Sequence, residues 1–252
     1  MTNAADAPRF LLATDFDGTI SPIVSTPDQA RIHPTAERLL QACAASSVAV
    51  AIISGRDVSD LRGRIGGVRA ILAGSHGLEC VDAEGHALWT SERRCPEMPA
   101  SLLRDLLRTE MHIEGKKYSV ALHFRGVEKD THAHLQRLTS WADEQNLDVI
   151  AGRKVVEISV RGGGKRAALR AIAGHVKASR MLYAGDDLTD FPALAFAAAH
   201  GRAIFVVNEE RDAPAIDDLR RVATIEALCE EFTNELASAN AGLQAPARGP
   251  AT

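Results

Sequence analysis

The chain has 252 residues, of which 46% are hydrophobic, 25% charged and 4% aromatic. That is the composition of one large globular domain or two modest ones, not of a disordered chain. A formal net charge of -4 and few aromatics give no general attraction to nucleic acid or an anionic membrane, and no stacking platform for single strands.

Met1 to Arg9 carry no basic leader region, and the apolar run Phe10 to Ala13 that follows is too short for a signal peptide. Phe10–Thr14 ends at an acidic turn and predicts a buried strand. A helix is predicted over Thr35–Ala45 behind Pro34, then a buried strand over Val48–Ile53, a short helix over Asp57–Ile65 and a strand over Arg69–Ala73. Leu78–Val81 and His86–Trp89 flank Asp82-Ala83-Glu84-Gly85, a hairpin signal. Strands alternating with helices predict an α/β fold: a doubly wound, mostly parallel sheet covered on both faces. Pro96 and Pro99 then mark a linker. A helix over Ser101–Glu110, a strand over Tyr118–Phe124, a helix over Thr131–Glu144 and strands over Leu147–Ala151 and Val155–Val160 predict a smaller inserted α/β domain at about 98–161. Gly162-Gly163-Gly164 returns to the first pattern, with a helix over Lys165–Val176, a strand over Met181–Ala184, a helix over Phe191–His200, a strand over Ala203–Val207 and a helix over Thr224–Ala237. The main domain is thus expected to comprise 1–97 and 162–238, with a disordered tail at 239–252. No stretch approaches the roughly 18 apolar residues of a membrane span. Cys43, Cys80, Cys95 and Cys229 have no CxxC spacing and read as incidental thiols of a reducing, cytoplasmic setting.

The chemistry-bearing residues stand where strands end. Asp15-Phe16-Asp17-Gly18-Thr19 follows the first strand, and Gly185-Asp186-Asp187-Leu188-Thr189-Asp190 follows the Met181–Ala184 strand. Ligands of open parallel sheets bind beyond the carboxyl ends of the strands. Two acidic clusters there suit one hard cation, and oxygen donors suit Mg2+. A carboxylate beside such an ion suggests phosphoryl transfer through an aspartyl-phosphate. Ser54, after the second strand, offers a hydroxyl to the phosphoryl oxygens, and Lys165 offers a point charge. Taken singly, each feature is also an ordinary turn, cap or solvated residue; their joint order at strand ends carries the reading. Gly162-Gly163-Gly164-Lys165-Arg166 is not a P-loop, because Ser159 and Arg166 stand where Gly and Ser/Thr belong. Nor is Asp15-Phe16-Asp17-Gly18 a calcium loop, because its glycine comes early. His132 and His134 are two apart on a helix and face different sides, which does not suit a metal.

At these residues the chain resembles the haloacid dehalogenase superfamily of aspartate-nucleophile phosphatases, whose four motifs match Asp15–Thr19, Ser54, Lys165 and Gly185–Asp190 in order. Within it, Ile53-Ser54-Gly55-Arg56, Ser75-His76-Gly77-Leu78-Glu79, Glu114–Arg125 and Gly152–Ile158 resemble the trehalose-6-phosphate phosphatases, the likeness covering roughly residues 10–236. The resemblance implies a Rossmannoid core with an α/β cap inserted between the second and third motifs. It implies a monomeric Mg2+ enzyme of trehalose biosynthesis that hydrolyses trehalose 6-phosphate, with a small sugar phosphate as its partner and neither nucleic acid nor membrane. Asp15 would be the nucleophile and Asp17 the general acid/base, with Ser54 and Lys165 holding the phosphoryl group. Asp15, Asp17 and Asp186 would bind the metal, Asp187 and Asp190 assisting. Gly18, Thr19, Arg56 and His76 from the core, and Lys116, His123, Arg125, Arg153, Lys154 and Glu157 from the cap, would bind substrate. The chain departs from the pattern at three places: Arg166, Phe191 and the pair Ser159-Val160. The last lies beside the sugar-reading strand and leaves open a different sugar phosphate, such as that of sucrose or mannosylglycerate. A non-catalytic sugar-phosphate sensor is a further alternative, although a pure binder needs no nucleophile.

Overall fold

The computed structural model describes residues 9–24, 26–46, 48–109, 111–124, 132–152, 155–209 and 212–244. Its larger sheet has eight strands in the order β12-β11-β10-β1-β2-β3-β4-β5. They are β1 (Arg9–Thr14), β2 (Ala49–Ile53), β3 (Ile71–Gly74), β4 (Glu79–Val81), β5 (Ala87–Thr90), β10 (Ala178–Gly185), β11 (Gly201–Val206) and β12 (Arg220–Val222). The six from β12 to β3 are parallel; β4 and β5 form the antiparallel hairpin.

The apolar runs are continuous because the sheet is covered on both sides. Along β1, Phe10 and Leu12 join the core formed with helices α1 (Pro34–Ala44), α2 (Val58–Arg62) and α7 (Ile225–Gln244). Leu11 and Ala13 join the opposite core, formed with α5 (Lys165–His175) and α6 (Phe191–His200). Alternate side chains on one strand therefore bury into two layers.

The insertion builds a second, four-stranded antiparallel sheet in the order β6-β7-β9-β8: β6 (His112–Gly115), β7 (Ser119–His123), β8 (Leu147–Gly152) and β9 (Val155–Val160). Helices α3 (Ala100–Leu107) and α4 (His132–Glu144) contribute Leu102, Leu106, Leu138 and Trp141 to its own core. This smaller sheet forms a cap on the larger domain. The two chain crossings lie together: Ser91 N–H donates to Leu78 O at 2.8 Å, and Gly164 N–H donates to His76 O at 2.5 Å.

Four details differ from the sequence expectation. β6 has one apolar side chain, Ile113, and sits on a sheet edge, so alternation does not mark it. β12 is another edge, with Arg220 and Arg221 exposed. α2 stops at Arg62 instead of Ile65, with Gly63 as its cap. α7 runs on to Gln244, through the first part of the expected tail; 245–252 lie outside the described residues.

Candidate active site

β1 and β10 are parallel neighbours, so the two acidic clusters that follow them emerge side by side. Asp15 N–H continues the ladder onto Ala184 O at 2.8 Å. Gly18, at φ +78°, turns the loop back; a Cβ there would lie 2.1 Å from Asp186 Oδ2, so the second cluster packs directly on this glycine. Thr19 Oγ1 donates to Asp186 Oδ1 at 3.3 Å.

Asp15, Asp186, Asp190 and Lys165 are all buried. Lys165, the first residue of α5, places Nζ 2.9 Å from Asp15 Oδ1 and 2.8 Å from Asp190 Oδ1. Burial alone would lower its ammonium, but Asp15 and Asp190 outweigh that and hold it above its ordinary value. Burial pushes the Asp15 carboxyl well up; Lys165 opposes this, while Asp190, Asp186 and Asp17 add to it. Among the described residues, these buried carboxylates thus exceed the one ammonium that faces them. One oxygen from each of Asp15, Asp186 and Asp190 falls within 4.8 Å of the others, so both the hard-oxygen donor set and the excess negative charge fit a divalent cation. Asp190, however, already accepts from Lys165 and from Tyr183 (Oη at 2.6 Å) on Oδ1, and from the backbone N–H of Asp186 and Asp187 at 3.3 and 3.1 Å on Oδ2. Those four bonds fill the positions a carboxylate offers, and they suit Asp190 to fixing Lys165 and the loop.

Asp17 faces a cleft of about 790 Å³ between the two sheets. Arg56 grips both its oxygens, Nε at 2.7 Å and Nη2 at 2.8 Å, and reaches Asp60 with Nη1 at 2.8 Å. Asp60 in turn takes Arg64, so the guanidinium of Arg56 is itself braced. Ser54, buried at the end of β2, accepts the backbone N–H of Arg56 on Oγ at 3.2 Å.

The cap closes the cleft with His112, Glu114, Lys116, His123 and Glu157, while Asp187 and Thr189 line the core side. Buried Glu157 accepts from Ser119 Oγ, and has Lys116 Nζ and His76 Nε2 each 3.5 Å from Oε2. Burial would raise its carboxyl, but His76, Lys116 and Ser119 overcome this and bring it down to about 2. Glu114 is 3.0 Å from His123 Nε2, and that contact, with Lys116, holds it below the usual carboxylate range.

Asp15, Asp17, Gly18, Thr19, Ser54, Arg56, His76, Lys165, Asp186, Asp187 and Asp190 thus gather at one end of the larger sheet, and Lys116, His123 and Glu157 face them from the cap. Arg125, Arg153 and Lys154 lie outside the described residues. The sequence reading missed Tyr183, which looks like one more residue of an apolar strand, and His112, on the strand that alternation left unmarked. Of the departures, Phe191 packs edge-on against Phe205 with ring centroids 6.0 Å apart, and Arg166 is exposed on α5. Phe191 N–H closes the second acidic turn on Leu188 O, while its ring points into the apolar layer. Ser159 is buried on the same face of β9 as Glu157 and pairs in register with Ser119.

The family model described as trehalose-phosphatase matches residues 13–213. The trehalose-phosphate phosphatase of Mycobacterium marinum is 34% identical over 250 residues, covering 92% of this chain and 62% of that protein. The chain therefore spans less than two thirds of that relative's length. Among solved structures, the C-terminal domain of Candida albicans trehalose-6-phosphate phosphatase superposes with a TM-score of 0.74 at 19% identity, over 91% of this chain and 92% of that one. The sucrose-phosphatase of Synechocystis, solved with sucrose and phosphate, shares the fold with a TM-score of 0.62 at 16% identity, over 90% and 98%. Because the family model runs from β1 through the acidic loop after β10 and on to Ala213, spanning both sheets, the chain belongs to the trehalose-phosphatase family.

Proposed function

We propose that the chain is an Mg2+-dependent phosphatase that releases trehalose and inorganic phosphate from trehalose 6-phosphate. The observation that carries the reading is the Asp15–Lys165 pair: a buried carboxylate at a strand end, held by an ammonium beside a carboxylate cluster, under a cleft whose other wall is a polar cap. Asp15, Asp186 and the Asp17 loop would hold the ion, which supplies charge neutralisation between nucleophile and phosphate. Asp15 attacks phosphorus, forming an aspartyl-phosphate as the bond from phosphorus to the sugar oxygen breaks. Asp17, once its two-pronged pair with Arg56 opens and it has taken up a proton, gives that proton to the departing oxygen, then takes one from the water that attacks the same phosphorus and frees Asp15. Lys165 and Ser54 hold the phosphoryl oxygens. Residues 98–161 act as the cap that reads the sugar, through Glu157, Glu114, Lys116 and His123; a carboxylate accepts charge-assisted hydrogen bonds from sugar hydroxyls.

A second reading, another sugar phosphate, draws on buried Ser159 beside Glu157, one of the two positions where this chain departs from the family pattern on the sugar-reading strand. Phosphate release from a panel of sugar phosphates, with and without EDTA, decides between them. Trehalose 6-phosphate is expected to give the highest kcat/KM and EDTA to abolish turnover. A better sucrose or mannosylglycerate phosphate would replace the assignment. Asp15→Asn should lower kcat by at least ~10³-fold; undiminished turnover in that variant would reject the covalent route.

A further inference from the structure

We propose that His76 is a positioning residue that couples the sugar-facing carboxylate Glu157 of the cap to the two phosphate-holding groups of the core, Ser54 and Lys165. The proposal rests on the cap reading given above and adds to it a physical link between the two halves of the site.

Ser75 and His76 both adopt left-handed backbone conformations, φ +49° and +55°, which side-chain-bearing residues avoid. Two such residues in succession persist only where their surroundings over-determine them. Here the surroundings are the catalytic loops. His76 N–H donates to Ser54 O at 2.9 Å, and Ser75 N–H donates to Arg56 O at 2.8 Å. His76 O accepts from Gly164, which caps α5 immediately before Lys165. Ser75 Oγ donates to Asp57 Oδ1 at 2.7 Å, a further tie to the loop after β2.

The side chain turns the other way. The imidazole lies against Gly55, where a Cβ would stand 2.7 Å from the ring, so only glycine leaves room for it. Its Nε2 then reaches Glu157 Oε2 of the cap at 3.5 Å. A sugar that draws on Glu157 therefore pulls on a ring wedged over the Ser54 loop and on a backbone hydrogen-bonded to Ser54 and to the residue before Lys165. Direct sugar contact alone would need neither the strained backbone nor the packing on Gly55.

The test compares His76→Ala, His76→Gly, Glu157→Gln and the double variant His76→Gly/Glu157→Gln. Glycine tolerates the left-handed backbone and alanine does not, so the alanine variant should melt lower while both lose activity alike. That separates loss of the ring from loss of fold. The ester used is whichever one of the panel the wild-type protein cleaves fastest, so a wrong sugar assignment leaves the experiment valid. Each single variant is expected to lose ~tenfold or more in kcat/KM, with kcat falling as well as KM rising, and the double variant to lose little beyond the worse single. Losses that multiply in the double variant, or a rise in KM with kcat unchanged, would overturn the coupling.

Discussion

Lys165 is the residue on which the charge balance of the site turns. It is the ammonium facing Asp15 and Asp190, and all three are buried. Removing one partner of a buried ion pair leaves uncompensated charge and costs about 3–5 kcal/mol. Lys165→Ala is therefore expected to lower both the melting temperature and kcat, the latter by about 10²–10³-fold. Asp190→Asn tests the supporting role of Asp190 more finely. Both of its oxygens accept, from Lys165 and Tyr183 on one side and two backbone N–H groups on the other, so an amide must turn an NH2 toward donors. A loss of about 1–3 kcal/mol in denaturant unfolding is expected. Glu157 carries a pH signature. Its carboxyl stands near 2 against 4.5 for an ordinary glutamate, so the folded state keeps it ionised where the unfolded chain has taken up a proton. The stability this confers is fully present above pH 4.5 and is lost as pH falls toward 2, about 3 kcal/mol in all. Glu157→Gln should flatten that part of the stability profile, as urea unfolding across the window would show.

Elements place these groups with a precision that loops alone would lack. β1 and β10 run parallel in register from Leu11↔Met181 to Thr14↔Ala184, and the next residues are the two acidic turns. Gly18→Ala sets a methyl against Asp186 and strains a left-handed turn; a Mg2+ titration of activity should show weaker activation by about 10–100-fold. The central strands and the acidic turns that close them were legible in the sequence because burial on both faces makes continuous apolar runs, each ending at an abrupt acidic or polar turn. The edge strands were not. β6 alternates His and Glu with a half-buried Ile and a Gly, and its pairing is set by β7, not by its own pattern. Tyr183 was equally hidden, since within Met181-Leu182-Tyr183-Ala184 nothing local shows that its hydroxyl meets Asp190. The Asp17–Arg56 pair spans 39 positions in the chain and is created by the β1–β2 neighbourhood.

Across the whole molecule, the interruption of one sheet by another was readable from the linker prolines and the glycine run, because the pattern of elements changes and then resumes. What the sequence did not give is the facing of the two domains. Glu157 meets His76 and Lys117 meets Glu79 at 3.1 Å, so core and cap touch through polar contacts beside the crossings, with the cleft beyond them. A substrate held by both should favour a tighter arrangement, with the bending confined near Pro96–Pro99 and Gly162–Gly164. Small-angle scattering is expected to show a smaller radius of gyration when vanadate and trehalose are added together; an unchanged curve would count against closure.

The neighbouring strand crossings have a consequence for modularity. Ser91 and Gly164 both bond to the short stretch 76–78, so the inserted module begins and ends at one doorway. A brief Gly/Ser bridge could span that gap at small entropic cost, leaving both faces of the eight-stranded sheet covered. Such a trimmed protein should fold and retain affinity for inorganic phosphate, yet treat sugar esters indiscriminately. Selectivity in this architecture would then be a detachable part, whose replacement must restore the Glu157–His76 contact for full turnover.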